Sequence, residues 1–461
     1  MSFVFYDTET TGLSTRFDQV VHFAAIKTDA ELREVDRYEV RSRLRSHIVP
    51  HPEALCVSGT GIHQLLDPSL PSHYEMACEI KAKLTAWTPS IFAGYNSIRF
   101  DEELLRQTFF QTLHPVYLTS LRGNGRADVM GLVLSAVASA PDSLLVPRDA
   151  SGRRSFKLAE IARANGIAHF KAHHAMSDVE AALELCRRLR KAAPEAWQSF
   201  VRFSNKAAVA HFVDGEDAFV LTEFFGGDSY TSPVVLLGPQ SGMVNGRLCL
   251  VLSASTRGIL NASVDELREL LLAKPSPIRR VRVNSAPVLT PLYEFEDGRF
   301  DMDINDIETL AREVRADTAL CARLISAFDS RDPQWPVSTH VEGRIYDGFP
   351  SSSDERVMER FHQVSWQERA RLLDQIKDER FRVLGERLVY NEAPHALRPD
   401  QRHRVVSGFT FRTGNSPDAP LSHESAIAYI DENRGRASAH HLSLLDDYRA
   451  YLVQTGSVRI S

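Results

Sequence analysis

The sequence holds little that would suit a secreted, membrane-bound or zinc-knuckle protein. Its five cysteines (Cys56, Cys78, Cys186, Cys249 and Cys321) are scattered, odd in number and form no Cys-x-x-Cys pair. That argues against a disulfide framework or a structural zinc site and fits a reducing cytoplasm. No apolar run reaches the roughly 18 residues of a membrane span. The N-terminus, Met1-Ser2-Phe3-Val4-Phe5, has no basic segment ahead of an apolar one, so no signal peptide is expected. Positive charge is not in excess: the net charge is −6 and the pI about 6.3. Bulk attraction to nucleic acid is thereby excluded, and any nucleic-acid site must be a local groove. Internal repeats and low-complexity tracts are also missing.

What is present is an ordinary globular composition, 43% hydrophobic and 25% charged, over 461 residues. That length suits two to four domains. The first 190 or so residues read as α/β. Phe3–Asp7 is a short apolar strand, and Gln19–Thr28 with Glu31–Val40 makes a meander. Tyr74–Trp87 has helical spacing, Ile91–Tyr95 is a strand, and a helix follows from Asp101 to Phe110. Asp128–Ala138 reads as a helix behind an Asp cap, with further helices over Phe156–Asn165 and Ala175–Lys191. Strands first, then strand and helix in alternation, indicate a mixed sheet covered by helices. After Pro194 the texture turns β-rich, with runs at Ala218–Glu223, Pro233–Leu237, Leu248–Leu252 and Val281–Val283, and a helix over Ser263–Leu272. Ile304–Phe328 is helical, Pro333–Ser353 reads as a linker, and the rest is helical and rich in Arg and Glu.

Three short stretches carry chemistry. In Tyr6-Asp7-Thr8-Glu9-Thr10-Thr11-Gly12, two carboxylates separated by one residue leave a strand on the same side. They repel each other unless something positive stands between them, and a hard divalent ion with oxygen ligands meets that need. Gly94-Tyr95-Asn96-Ser97-Ile98-Arg99-Phe100-Asp101 places an acid where a helix begins. His173-His174-Ala175-Met176-Ser177-Asp178 places a loop histidine ahead of a helical acid. Taken singly, each is ordinary: solvated acids, a helix cap, a surface turn. Taken together, they put four carboxylates within reach of one site. Two metals about 3.5–4 Å apart would make them a clamp for in-line displacement at phosphorus. A histidine then supplies a base near neutral pH.

These motifs resemble the DEDDh branch of the DnaQ-like 3′→5′ exonucleases, and more closely the bacterial exonuclease I family. The resemblance extends to Phe23–Asp29, Gly94–Glu102, Ser155–Leu158, Ala164–Ile167, Ala175–Val179, Asn205-Lys206, Val283-Asn284, Pro287–Leu289 and Tyr346–Phe349. It implies a ribonuclease-H-like mixed-sheet exonuclease domain (1–193), an SH3-like β-rich domain (194–340) and a helical C-terminal domain (341–461). It implies processive 3′→5′ hydrolysis of single-stranded DNA to 5′-mononucleotides in DNA repair or recombination, with two Mg²⁺ ions, for which Mn²⁺ can substitute. Asp7, Glu9, Asp178 and Asp101 would be metal ligands and His173 the general base. His174 stands at the four-residue spacing of the Tyr-type branch, His173 at the five-residue spacing of the His-type branch. Substrate contacts would come from Glu9, Lys157, Phe156, Arg106, Ser58 and Lys206.

The resemblance further implies a monomer with no membrane contact that docks the C-terminal tail of single-stranded-DNA-binding protein on a basic patch. Arg279-Arg280-Val281-Arg282 is the candidate patch. The loop Arg122–Ala127 lacks an expected aromatic, and Tyr390–Pro394 carries an acid where relatives are basic. Two other enzymes share such an acid centre, an exoribonuclease and a proofreading subunit, but about 270 further folded residues argue against both. An inactive single-strand-binding protein would gain nothing from clustered negative charge facing phosphate.

Overall fold

The computed structural model describes all residues except 169–173, 263, 273, 332–336, 413–418 and 459–461. The first sheet comprises β1 (Phe3–Thr10), β2 (Val20–Thr28), β3 (Glu34–Arg41), β4 (Ile91–Gly94) and β5 (Gly125–Asp128). Its order is β3-β2-β1-β4-β5. The meander pairs antiparallel, whereas β4 and β5 add parallel to β1. Alternation along β1 sends Phe3 and Phe5 into one apolar layer and Val4 and Tyr6 into the other. Gly94 permits the close approach of β4 to β1, because a Cβ there would fall 2.6 Å from the Tyr6 carbonyl oxygen.

Between β3 and β4 run α1 (Pro52–Ser58), α2 (Ile62–Leu65) and α3 (His73–Ala86), and α4 (Asp101–Gln111) follows β4. After β5 come α5 (Val129–Ser139), α6 (Leu158–Ala164), α7 (Ala175–Ala192), α8 (Pro194–Arg202) and α9 (Lys206–Gly215). Helices α5 and α7 bury one face of the sheet; α3 and α4 bury the other. The first apolar cluster continues through Ala193, Ala196 and Trp197, so α8 packs with this sheet.

A second sheet holds β6 (Phe219–Phe225), β7 (Asp228–Pro239), β8 (Gly246–Val251), β9 (Ile278–Arg282) and β10 (Val288–Pro291). All its pairings are antiparallel, in the order β10-β6-β7-β8-β9, and this sheet stands where an SH3-like barrel was expected. Residues from α10 (Val264–Leu272), α11 (Ile304–Ala316) and α12 (Thr318–Asp329) fill its core. The chain ends in α13 (Ser352–Phe361), α14 (Trp366–Leu372), α15 (Glu379–Glu392), α16 (Pro399–Arg412), α17 (His423–Asn433) and α18 (Ala439–Val458). These helices have two separate seats on the first region. α13 to α16 pack with Tyr74, Phe110 and Leu113, and α17 and α18 with Val21, Leu44, Ile48, Leu55 and Ile62. Among the described residues no helix is long and apolar enough to cross a membrane.

Several sequence expectations differ from these elements. The helix expected from Phe156 begins only at Leu158, because Phe156 is drawn into the core. The single helical stretch at 304–328 is two helices, divided at Asp317, whose carboxylate accepts from Leu320 N. Half of the expected loop before Asp128 is β5, held by parallel pairing to β4. Within the expected linker, part of which lies outside the described residues, His340, Val341 and Glu342 are buried. Helices α8 and α9 and strand β10 had no sequence counterpart.

Candidate active site

The alternation that buries Phe3 and Phe5 brings Asp7 and Glu9 up on the same side of β1, toward α7. Asp178 lies in the first turn of α7, its N–H bonded to the His174 carbonyl at 3.1 Å. One carboxylate oxygen each from Asp7, Glu9 and Asp178 lie within 4.8 Å of one another. The fourth acid arrives from the other face. Thr8 points toward α4, and its N–H and hydroxyl donate to Asp101 Oδ1 at 3.0 and 2.6 Å. Strand β1 therefore bears two of the four carboxylates and ties in Asp101 through Thr8, while Asp178 is delivered by α7.

Burial and mutual repulsion show in the proton affinities. The Asp7 carboxyl is pushed well above its ordinary value by burial, then by the charges of Asp101, Asp178 and Glu9. Glu9 is raised to about 8, by burial first and then by Asp178 and Asp101, with Arg41 opposing. Burial raises Asp101 to about 7, against the two bonds from Thr8. The set offers only carboxylate oxygens, converging on one another. That donor chemistry fits a hard divalent cation and not a soft one. Residues Asp7, Glu9 and Asp178 could hold such an ion directly, with Asp101 beside them.

The surrounding turns are fixed by specific bonds. Asp18 accepts from Thr11 Oγ1 and Ser14 N, both at 2.7 Å, which pins the turn after Glu9. A Cβ on Gly12 would lie 2.6 Å from that carboxylate, hence the glycine. Asp128 caps α5 and also accepts from Asn96 N and Ile98 N at 2.8 and 3.2 Å, shaping the turn that delivers Asp101. Behind Asp101, Glu102 is fully buried and fully partnered. It accepts from Arg106, Arg126, Thr119 and Tyr6 at 2.6 to 3.1 Å. The Asp128 cap was expected, but sequence reasoning missed this network, the role of Thr8 and the bonds of Asp128 to the turn before Asp101; the acid at position 102, adjacent to a proposed ligand, was the available signal.

The other expected residues are scattered. His173 lies outside the described residues. His174 accepts from Arg41 Nη2 through Nε2 at 3.2 Å and meets the His22 ring edge-on at 5.1 Å. Phe156 is 4% exposed, packed edge-on against Phe224 with the Arg154 guanidinium over its ring. Its face is thus already covered, contrary to the expectation of a base-stacking surface. Lys157 is exposed just before α6 and 4.0 Å from Glu160. Arg106, expected to meet a phosphate, is instead buried by ion pairs to Glu102 and Glu103 and lies over the Tyr117 ring. Ser58 ends α1 and donates to the Ala54 carbonyl. Lys206 is the exposed first residue of α9. In the candidate basic patch, Arg279 is paired with Glu223 and stacked on Phe225, and Arg280 lies over Phe328.

A surface not anticipated adjoins α4. The Tyr346 hydroxyl donates to Glu103, and Arg106 Nη1 lies 3.3 Å from it. Phe349, 78% exposed, meets the ring of Tyr117 at 5.5 Å. The Tyr346–Phe349 segment of the C-terminal region thus presents aromatic rings beside the helix that begins at Asp101.

An exonuclease family model matches residues 4–186, and a model of the exonuclease I C-terminal domain matches residues 339–455. The chain is similar to exodeoxyribonuclease I of Haemophilus influenzae, 27% identical over 386 residues, 77% of this chain and 79% of that protein. Its fold is similar to that of an exonuclease I from Methylocaldum szegediense, with a TM-score of 0.87 at 24% identity, covering 98% and 99% of the two chains. Escherichia coli exonuclease I in complex with a dA16 oligonucleotide gives a TM-score of 0.85 at 22% identity, with the same coverage.

Proposed function

The chain belongs to the exonuclease I family, and from that premise we propose that it shortens single-stranded DNA from the 3′ end, releasing 5′-mononucleotides by metal-dependent hydrolysis. The observation that carries this reading is the convergence of Asp7, Glu9 and Asp178, with Asp101 tied in through Thr8. Carboxylates so placed would repel a phosphodiester; with divalent cations they attract it.

In this reading Asp7, Glu9 and Asp178 hold Mg²⁺, or Mn²⁺ in its place, and Asp101 completes the shell of a second ion. Those ions, when bound, neutralise phosphate charge and lower the pKa of the attacking water. The protein's own work is positioning. Thr8 and Asp128 hold Asp101 at the mouth of α4, and Asp18 holds the turn after Glu9. His173 is the assigned base, taking a proton from water. The engagement of His174 Nε2 by Arg41 supports giving that role to its neighbour. Lys157, Lys206 and Ser58 remain candidate strand contacts, and the exposed Phe349 offers a stacking face. Docking of an acidic single-stranded-DNA-binding-protein tail would rest mainly on Arg282, the exposed member of the β9 patch.

The test is degradation of a 5′-labelled single-stranded oligonucleotide with Mg²⁺ or with EDTA, by the unmodified protein and Asp178→Ala. The expected result is a ladder shortening from the 3′ end, confined to single-stranded DNA, lost in EDTA and in the variant. Equal or better cleavage of a matching RNA would overturn the DNA assignment. Binding without cleavage would replace the enzyme by a binding protein.

A further inference from the structure

A second group of metal-ligand side chains lies away from the acid centre, where the C-terminal helices meet the first region. Cys78 of α3, His114 just after α4 and His362 at the end of α13 each bring one ligand atom within 4.8 Å of the others. Cys78 Sγ is 3.4 Å from His114 Nε2, and the two imidazoles stack with centroids 3.9 Å apart. His362 Nε2 lies 3.1 Å from the Leu113 carbonyl oxygen. A carbonyl only accepts, so Nε2 carries the proton and Nδ1 keeps its lone pair, facing the Tyr74 hydroxyl at 2.9 Å. A metal-ligating histidine makes this kind of outer bond to a backbone carbonyl, which fixes its tautomer.

The rings are ready to act as ligands. In the tautomer that the Leu113 carbonyl fixes, His362 keeps a lone pair on Nδ1, and His114 Nε2 faces the Cys78 thiol. His114 is buried, but Cys78 and His362 are half-exposed, which leaves a way in for an ion. Arg369 on α14 is occupied: it lies over the Trp366 ring and donates to the Val364 and His362 carbonyls. The histidine cluster at His22, Glu39 and His174 differs, since Arg41 already bonds His174 there.

We propose that Cys78, His114 and His362 form a site for a borderline-soft divalent metal of the Zn²⁺ class, which ties α13 to the first region. One thiolate and two neutral imidazoles are ligands such an ion prefers, with water as the fourth. On binding, Sγ and one nitrogen of each ring bond the ion and the thiol proton leaves to solvent. The Tyr74 hydroxyl gives up its bond to His362. The rings are 14° from parallel, so one must turn for the lone pairs to converge. Ligand edges near a tetrahedral Zn²⁺ are roughly 3.3–3.6 Å, a range that the 3.4 Å between Cys78 Sγ and His114 Nε2 already meets. The three residues share no local spacing, which is why scattered cysteines argued against a zinc site in the sequence.

The test uses the full chain and Co²⁺ as a spectroscopic probe. One equivalent should give a near-ultraviolet thiolate-to-cobalt band that persists in Asp178→Asn, is displaced by Zn²⁺ and is lost in Cys78→Ser. No band, or a band retained in Cys78→Ser, overturns the proposal. A second measurement needs no substitution: Zn²⁺ should slow alkylation of Cys78 about tenfold or more, because the bound thiolate is withdrawn from reaction, while sparing Cys56. Equal alkylation rates with and without Zn²⁺ would overturn it as well.

Discussion

Asp101 and Glu102 are neighbours at the start of α4, yet they serve regions of opposite electrostatic construction. Asp101 joins a group of acids whose charges face one another, and its carboxyl is raised to about 7. Glu102 points back into the protein. Burial alone would raise it, but Arg106, Arg126, Thr119 and Tyr6 more than offset that, and its carboxyl is held below the ordinary value. A buried charge with complete partners is structural; buried like charges that face one another call for a ligand. Stability and chemistry are thus separated by one peptide unit.

Substitution on the acid side should have the largest effect. Asp7→Asn or Asp178→Asn should lower oligonucleotide degradation about 10³-fold or more, as loss of charge positioning does elsewhere. Thermal unfolding in EDTA should show these variants no less stable than the unmodified protein, because each removes a like charge. A large drop in melting temperature would place these acids in the folding core instead.

On the other side, Glu102→Ala should cost about 3–5 kcal/mol in urea unfolding, the usual result of stripping a buried ion pair of one partner. An unchanged midpoint would show that Arg106 and Arg126 are content with solvent.

The pH dependence of the metal-free protein should carry the same contrast. Glu9 at about 8 and Asp101 at about 7 bind protons more tightly folded than unfolded. Stability in EDTA should therefore decline as pH rises from about 4.5 to 8, because the folded state holds more protons in that window. Mg²⁺ should flatten the decline and release protons on binding, measurable by titration calorimetry in buffers of different ionisation enthalpy. A flat profile in EDTA would mean that the carboxylates are compensated by something else.

Smaller effects should come from strand contacts. Phe349→Ala should weaken single-stranded DNA binding by about 1–3 kcal/mol, the worth of one base stack, in fluorescence anisotropy. Lys206→Ala should do less, lowering the salt dependence of binding by about 0.7 in log–log slope if it meets one phosphate.

How much of this was legible depends on the distance over which each feature is built. Asp7 and Glu9 were legible because two-residue alternation in a strand is a local rule, and the apolar lead-in of β1 announces it. The start of α4 at Asp101 and of α7 three residues before Asp178 followed from helical periodicity. The covering of Phe156 was not legible, since its place in the chain next to Lys157 gave no hint that Phe224 and Arg154 pack on its ring. Arg106 was ambiguous for a related reason: its helical position one turn after Glu102 suits an ion pair as well as a phosphate. Strand β10 and helices α8 and α9 are held by packing against residues distant in sequence, which no local window contains.

The four acids and their placement at strand edges and helix starts were readable from the chain alone. Local periodicity and residue chemistry suffice for that. Only the tertiary structure decided which acid is compensated and which is not, because Glu102 finds Arg126 across β5 and Asp101 finds Thr8 across β1. It alone decided that C-terminal rings stand beside α4, and that Cys78, His114 and His362 meet at all. Side-chain partners drawn from distant segments are fixed by how sheets and helices stack, and that stacking is a property of the folded whole.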